Sequence, residues 1–342
     1  MIDQLTQALR DGRDLEENEI RLACDFLFDE GAPLERRAAF LQSLHEKGES
    51  PAEIAAFVRI LLERAIPLPF SGEGCLDVCG TGGDRAGLFN VSTATMLVAA
   101  ACGSRVVKHG NRGITSRAGG ADVLEALGVS ISLPPDRAAA ALDAAGCCFL
   151  FAPAYHPAFK AVAPVRKLLA ERGLRSVFNM LGPLLNPARP SFQLAGVYDP
   201  RLLETYAGVF ELLGRRRTWT VHGTTPTGHS LDEISPLGRT DVVETGAGGR
   251  KSFQIFPETF GIRDVRMEEL TGADAAGNAG IIADLVAGNR RDGARSVVQI
   301  NSAAALVVCG LASDLQAGWT LAGDALDNGS ARDVLDRLRS CR

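Results

Sequence analysis

Cys75-Leu76-Asp77-Val78-Cys79-Gly80-Thr81-Gly82-Gly83-Asp84, followed by Asn90-Val91-Ser92-Thr93, is the stretch that decides the fold. Cys75–Cys79 reads as a short apolar strand, glycines follow at once, and Val91–Cys102 is a helix of small residues. A strand that ends in a glycine loop and continues as a helix opens a β-α unit. Glycines let backbone N–H groups approach phosphate oxygens closely, and the next helix points its positive end at them. The loop is not a P-loop, because no Gly-Lys-Ser/Thr follows at the required spacing. It is not a dinucleotide fingerprint either, because Arg85 occupies the third glycine position. Taken alone, a tight turn capped by Asn90 or Ser92 explains it equally well.

The same arrangement recurs downstream. Ser104–Lys108 reads as a strand, Lys108-His109-Gly110-Asn111-Arg112-Gly113-Ile114-Thr115-Ser116 as a second glycine-bearing loop, and Gly120–Leu127 as a helix stopped by Gly128. Ser130–Leu133 is expected to be a further short strand and Arg137–Ala145 a helix, with Leu194–Val197 and Thr218–Val221 as later strands. Strands alternating with helices imply a parallel sheet covered on both faces. Ligands of such sheets sit at the carboxyl ends of the strands. Two glycine loops at that edge suit a ligand with two phosphate clusters, with Lys108 as a point charge and Thr115 and Ser116 as donors.

Upstream, residues 1 to about 66 read as helices only. Leu5, Leu9, Ile20, Cys24, Leu27 and Phe28 recur at helical spacing, and Arg36–Glu46 is amphipathic. Ser50-Pro51-Ala52-Glu53 is a capping box with Pro in the first turn, and Pro67-Leu68-Pro69 closes the segment. Residues 157–175 return to a basic helical stretch. The tail from Ile281 reads as mostly helical, broken at Gly318 and Gly329.

Composition narrows the function classes. The 342 residues are 46% hydrophobic and 23% charged, ordinary for a globular protein. A chain of this length buries about 75% of its unfolded surface, enough for a core without staples. A net charge of −5 argues against a broad nucleic-acid-binding face but leaves room for a small anionic ligand. The eight Cys show no CxxC spacing and read as free thiols in a reducing compartment. Met1-Ile2-Asp3-Gln4 lacks the basic and apolar regions of a signal peptide, and no apolar run is long enough for a bilayer, so a cytoplasmic location is expected.

Two further features carry chemistry only in context. Asp232-Glu233 is in isolation plain surface charge; beside a pyrophosphate the pair makes a good Mg²⁺ site. Arg166 reads as a solvated helical residue, or as a fork for an acceptor carboxylate.

In their order along the chain, the Gly80–Asp84 loop, Asn90–Thr93, Lys108–Arg112, Ala121–Gly128, His156-Pro157, Phe178–Pro183 and Asp232-Glu233 resemble the anthranilate phosphoribosyltransferases, and the resemblance covers essentially the whole chain. It implies an α/β fold of the nucleoside phosphorylase/phosphoribosyltransferase type. A small N-terminal helical domain (residues 1-70, joined by roughly 157-180) would meet a larger α/β domain (71-156 and 181-342) with a mostly parallel central sheet, the active site lying in the hinge cleft. It implies a glycosyltransferase of tryptophan biosynthesis that moves phosphoribose from 5-phosphoribosyl 1-pyrophosphate to anthranilate.

By the same resemblance Gly80, Gly83, Asp84, Asn90, Ser92, Thr93, Lys108, Gly110, Asn111, Arg112, Ser116 and Gly120 hold the donor. Gly80, His109, Asn111, Arg166, Gly182 and Pro183 surround anthranilate, and Ser92, Asp232 and Glu233 bind Mg²⁺. No side chain is assigned as catalytic acid or base. The implied partner is a second copy, in a homodimer formed through the helical domain; no nucleic acid and no membrane are expected. Leu88, Ala118 and Gly120 depart from hydroxyl residues common in the family, and the stretches after Arg166 and between His222 and Asp232 are longer than usual. The rival readings are a nucleoside phosphorylase of the same architecture and a non-catalytic, nucleic-acid-binding paralogue. The acid pair counts against both, and the acidic balance against the second.

Overall fold

The computed structural model describes residues 1–84, 86–113 and 117–342. Four helices open the chain: α1 (Ile2–Arg10), α2 (Glu17–Phe28), α3 (Leu34–Lys47) and α4 (Pro51–Glu63). α4 starts at the expected capping box: Ser50 Oγ accepts the Glu53 amide at 3.3 Å, and the Glu53 carboxylate accepts the Ser50 amide at 2.9 Å. That buried carboxylate also takes the Leu15 amide at 2.9 Å and the Lys47 ammonium at 2.8 Å. A local cap therefore doubles as a tie between helices.

The chain continues through β1 (Cys75–Gly80), α5 (Val91–Ala101), β2 (Arg105–Gly110), α6 (Gly120–Ala126), α7 (Pro135–Ala145), β3 (Cys147–Phe151), the single turn α8 (Ala152–Tyr155) and α9 (Phe159–Glu171). Then come β4 (Phe192–Gly196), α10 (Leu202–Leu212), β5 (Arg217–Thr224), β6 (Ser230–Leu231), β7 (Thr240–Gly246) and β8 (Lys251–Ile255). The helices α11 (Ala275–Val286), α12 (Gly293–Val308), α13 (Leu315–Asp327) and α14 (Ser330–Ser340) complete it.

The strand order is β3-β2-β1-β4-β5-β7-β8, with β6 paired to β5. β1 to β5 run parallel, and β6, β7 and β8 are antiparallel additions. The chain steps outward from β1 through β2 to β3, then crosses back to place β4 on the other side of β1. The order reverses between β1 and β4, and that reversal leaves a crevice at their carboxyl ends.

Three expectations fail. Ser130–Leu133 forms no strand; the third parallel strand is Cys147–Phe151, apolar throughout because both its faces are covered. β7 and β8 escaped the sequence reading because Asp241 and Glu244 interrupt the apolar pattern of β7. Gly318 does not break a helix but lies inside α13, where a Cβ would stand 2.6 Å from Ala303 O, so the glycine lets α13 lie against α12. Gly329, with φ of 86°, does separate α13 from α14.

Two apolar cores result. One lies between the sheet and the helices α5, α6, α7 and α11 to α14. The other joins α1 to α4 with α9, the 177–185 segment and the inner side of α10. α9 thus packs with the N-terminal helices although the first three strands intervene in the sequence. No helix among the described residues is long and apolar enough to cross a membrane.

Candidate active site

A cleft of about 940 Å³ opens at the crevice between β1 and β4, with α9 and the 178–185 segment as its far wall. The near wall is the β1–α5 loop. Asn90, at the N-cap of α5, makes no side-chain cap. Asn90 instead donates from Nδ2 to Ala118 O at 3.2 Å and accepts from Asn278 Nδ2 at 3.0 Å. Within that turn the Val91, Thr93 and Ala94 amides donate to Phe89 O and Asn90 O and the Glu233 carboxylate takes the Ser92 amide, while the dipole of the eleven-residue helix favours an anion there. Gly82 and Gly83, with φ of 66° and 89°, hold the loop in a conformation that side chains disfavour.

The acid pair sits deeper than a surface loop suggests. Asp232 and Glu233 are half-buried, and Asp232 Oδ2 accepts the Gly82 amide at 2.7 Å. Three glycines at the ends of β1, β4 and β5 make the room: a Cβ on Gly80 would stand 2.3 Å from Asp232 Oδ2, one on Gly196 1.6 Å from Asp232 O, and one on Gly223 2.3 Å from Glu233 O. Burial, and then the neighbouring Asp84, push the Asp232 carboxyl up to about 7. Burial and Asp232 push Glu233 well above the usual carboxylate range. Hard oxygen donors crowded until their charges oppose one another fit a divalent cation. Among the described residues no three His, Cys, Asp or Glu side chains close into a full metal cage. An ion here would take its other ligands from phosphate or water, which is how Mg²⁺ is usually held.

Of the expected donor residues, Gly80, Gly83, Asp84, Asn90, Ser92, Gly110, Asn111, Arg112 and Gly120 line the cleft. Arg112 is braced there by Asp122 at 2.9 Å and Glu125 at 2.8 Å. Two do not reach its surface. Lys108, 4% exposed, donates to Val78 O at 2.6 Å and to Ser92 Oγ at 3.1 Å. Its alternating strand position turns it beneath the start of α5, where it also draws Glu233 towards its charged form. Thr93 is fully buried between α5 and α6. Ser116 lies outside the described residues.

On the far wall Arg166 is half-buried on α9 without a hydrogen-bond or ion-pair partner among the described residues, and burial alone lowers its pKa. His109 Nδ1 lies 3.3 Å from Gly182 O, and its ring meets His156 edge-on at 5.2 Å. Burial, and then His156, push the His109 pKa down to about 3, so the ring is neutral. A carbonyl at Nδ1 assigns the proton to that nitrogen and leaves the unpartnered, buried Nε2 as an acceptor. Gly182 and Pro183 complete this wall.

Residues 3–65 match the glycosyl transferase family, helical bundle domain, and residues 72–332 match the glycosyl transferase family, a/b domain. The anthranilate phosphoribosyltransferase of Syntrophomonas wolfei is 42% identical over 340 residues, covering 99% of this chain and 97% of that protein. That of an Anaeromyxobacter species is 43% identical over 338 residues, covering 99% and 98%. The chain belongs to the anthranilate phosphoribosyltransferase family. The crystal structure of the anthranilate phosphoribosyltransferase from Thermus thermophilus matches with a TM-score of 0.88 at 39% identity, covering 98% of each chain. The Saccharomyces cerevisiae enzyme in complex with phosphoribosyl pyrophosphate and Mg matches with a TM-score of 0.85 at 24% identity, covering 99% and 97%, and shares the fold. The chain is thus a glycosyltransferase-family enzyme with the expected helical and α/β parts.

Departures from the anthranilate phosphoribosyltransferase pattern are absorbed locally. Leu88 forms an isolated bridge with Thr271, and Gly272 donates to Gly87 O at 2.7 Å, so backbone pairing steadies the donor loop. The stretch after Arg166, expected to be longer than usual, leaves Arg166 in the cleft, while Arg175 stacks over the Tyr198 ring at 5.0 Å and lines no part of it. Asn278 and Gly196 escaped the sequence reading. Gly196 was a findable signal, a glycine closing a strand; Asn278 had none, because only the fold brings it to Asn90.

Proposed function

We propose that the chain transfers phosphoribose from 5-phosphoribosyl 1-pyrophosphate to anthranilate, releasing pyrophosphate, as a step of tryptophan biosynthesis. The observation that carries this reading is the pairing of unlike subsites across one cleft. An acid pair at the start of α5 faces an Arg166 guanidinium that has no partner among the described residues. The glycine loop and the positive end of α5 receive the phosphates, with Asp84, Asn90, Asn111 and Arg112 around them. Asp232, Glu233 and the Ser92 hydroxyl would hold Mg²⁺, which when bound offsets the negative charge gathering on the departing pyrophosphate. Lys108 acts from below, holding Ser92 and balancing Glu233.

Arg166 offers two parallel donors to the two coplanar oxygens of the acceptor's carboxylate. His109 steadies the acceptor wall through Gly182 O and keeps a neutral ring behind it. The Gly182-Pro183 turn supplies a wall for the ring. An arylamine nitrogen is weakly basic and attacks unprotonated, so no side chain is assigned as acid or base.

Residues 1-70 with 157-180 are read as the helical domain and the rest as the α/β domain. A homodimer through the helical domain would cover its exposed Met1, Leu22 and Leu34. Free thiols suit the cytoplasm. Mass spectrometry tests the reaction: N-(5-phosphoribosyl)anthranilate and pyrophosphate should form together, whereas nucleoside turnover with inorganic phosphate would favour a phosphorylase.

A further inference from the structure

The far wall of the cleft is an irregular segment, residues 180–186, held carbonyl by carbonyl. Tyr206 Oη donates to Met180 O at 2.6 Å, and His109 Nδ1 meets Gly182 O. Gln193 Nε2 donates to Pro183 O at 2.5 Å, and His156 Nε2 lies 2.8 Å from Leu185 O. Asn186 Nδ2 then donates to Asp77 Oδ2 at 2.9 Å and to Val107 O at 2.7 Å.

Gln193 is the unusual member. It is fully buried in β4, inside a parallel sheet, where an aliphatic side chain is the ordinary occupant. Its neighbours in register are Asp77 of β1 and Thr218 of β5. The amide nitrogen that holds Pro183 also reaches Cys79 Sγ at 3.3 Å, the residue immediately before Gly80. Its Oε1 is buried without a partner. Turning the amide over would set Oε1 against Pro183 O, so the orientation is determined. A buried acceptor without a donor destabilises the fold, so stability does not account for a glutamine here.

We propose that Gln193 is a positioning residue for the acceptor: by bridging Cys79 and Pro183 it sets the separation between the donor loop and the acceptor wall. The inference rests on reading Gly182-Pro183 as that wall. Reacting atoms must be held about 3–3.5 Å apart, so a wall that drifts outward penalises the acceptor while leaving the donor loop able to bind. Gln193 is buried and touches neither substrate; its effect passes through Pro183.

Steady-state kinetics on Gln193→Met and Gln193→Glu, each compared with the parent at the same pH, test this, with donor affinity by calorimetry and thermal unfolding alongside. Methionine keeps the length and loses the donor. It should raise the anthranilate KM about three- to tenfold, the loss of one hydrogen bond, at every pH, with donor affinity unchanged, while Pro183 O left without its donor lowers the unfolding temperature. Glutamate can donate to Pro183 O only while protonated. Its KM should therefore match the parent at the acid end of the range and rise with pH as the buried carboxyl ionises. A purely structural residue would weaken donor and acceptor together in both variants, with no pH-dependent rescue of the acceptor KM, and that result overturns the proposal. So does an unchanged anthranilate KM for Gln193→Met. Arg166→Ala serves as the control. If it raises the anthranilate KM while Gln193→Met does not, the positioning role alone falls. If Arg166→Ala also has no effect, the acceptor wall itself is misplaced and the inference falls with it.

Discussion

A Cβ on Gly80 would stand 2.3 Å from Asp232 Oδ2, whereas one on Gly196 would stand 1.6 Å from Asp232 O. The first collision is with a side chain that can swing away, the second with backbone that cannot. Gly80→Ala is therefore expected to turn the Asp232 carboxylate off the Gly82 amide and lower kcat/KM about a hundredfold, the effect of a displacement near one ångström, while unfolding changes little. Gly196→Ala should destabilise by about 1–3 kcal/mol or more, as overpacking does. Paired kinetics and thermal unfolding check this; a Gly80→Ala protein with parental activity contradicts it.

Lys108→Met should lower stability as well as donor affinity. Val78 O and Ser92 Oγ both lose their donor, and a buried group left unpaired costs about 1–3 kcal/mol. Glu233 loses its nearby cation and ionises less readily, which weakens donor binding in the presence of Mg²⁺. Denaturant unfolding and donor calorimetry measure the two effects. An unchanged unfolding midpoint with weakened donor binding would point instead to a direct phosphate contact.

His109 is neutral because burial and His156 depress its pKa from 6.5 to about 3. Above pH 6.5 neither the folded nor the unfolded chain protonates it. Below that, the unfolded chain takes up a proton that the folded chain refuses, so stability falls as the pH drops from 6.5 towards 3. NMR of the ring should show no titration of His109 between about pH 5 and 8, where an ordinary imidazole titrates. A midpoint inside that window contradicts the assignment of Nε2 as a neutral acceptor.

Arg166→Lys keeps the charge and loses the fork. Arg166→Ala should lower kcat/KM for anthranilate about 10- to 100-fold, from the loss of a charged hydrogen-bonded pair of about 1.5–3 kcal/mol, and Lys should recover only part of it. Aniline has no carboxylate, so its slow turnover should be nearly indifferent to both substitutions. Equal losses with both acceptors would place Arg166 outside carboxylate recognition.

What was legible in the sequence was local. Cys75 to Thr93 announces strand, loop and helix through an apolar run, glycines and small residues, and Ser50 to Glu53 announces a helix start through its capping chemistry. Cys147–Phe151 and Ser130–Leu133 could not be told apart as strands, because short apolar runs carry no decisive period. The burial of Lys108 and Thr93 depends on where α5 and α6 come to rest, and strand spacing says nothing of that. The roles of Gly196, Gln193 and Asn278 exist only once β4 lies beside β1 and α11 approaches Asn90. The acid pair was chemically ambiguous until the glycines around it placed it at the helix start.

On the proposed function, this cleft couples anthranilate to a phosphoribosyl donor through a site that the acid pair completes. Anthranilate fluoresces, so its consumption can be followed continuously, with the parent protein and with Asp232→Ala/Glu233→Ala. Fluorescence should fall only when the parent protein, phosphoribosyl pyrophosphate and Mg²⁺ are all present, and should stay constant with the folded double variant. Constant fluorescence with the parent protein, or an undiminished rate with the double variant in excess Mg²⁺, would contradict the account.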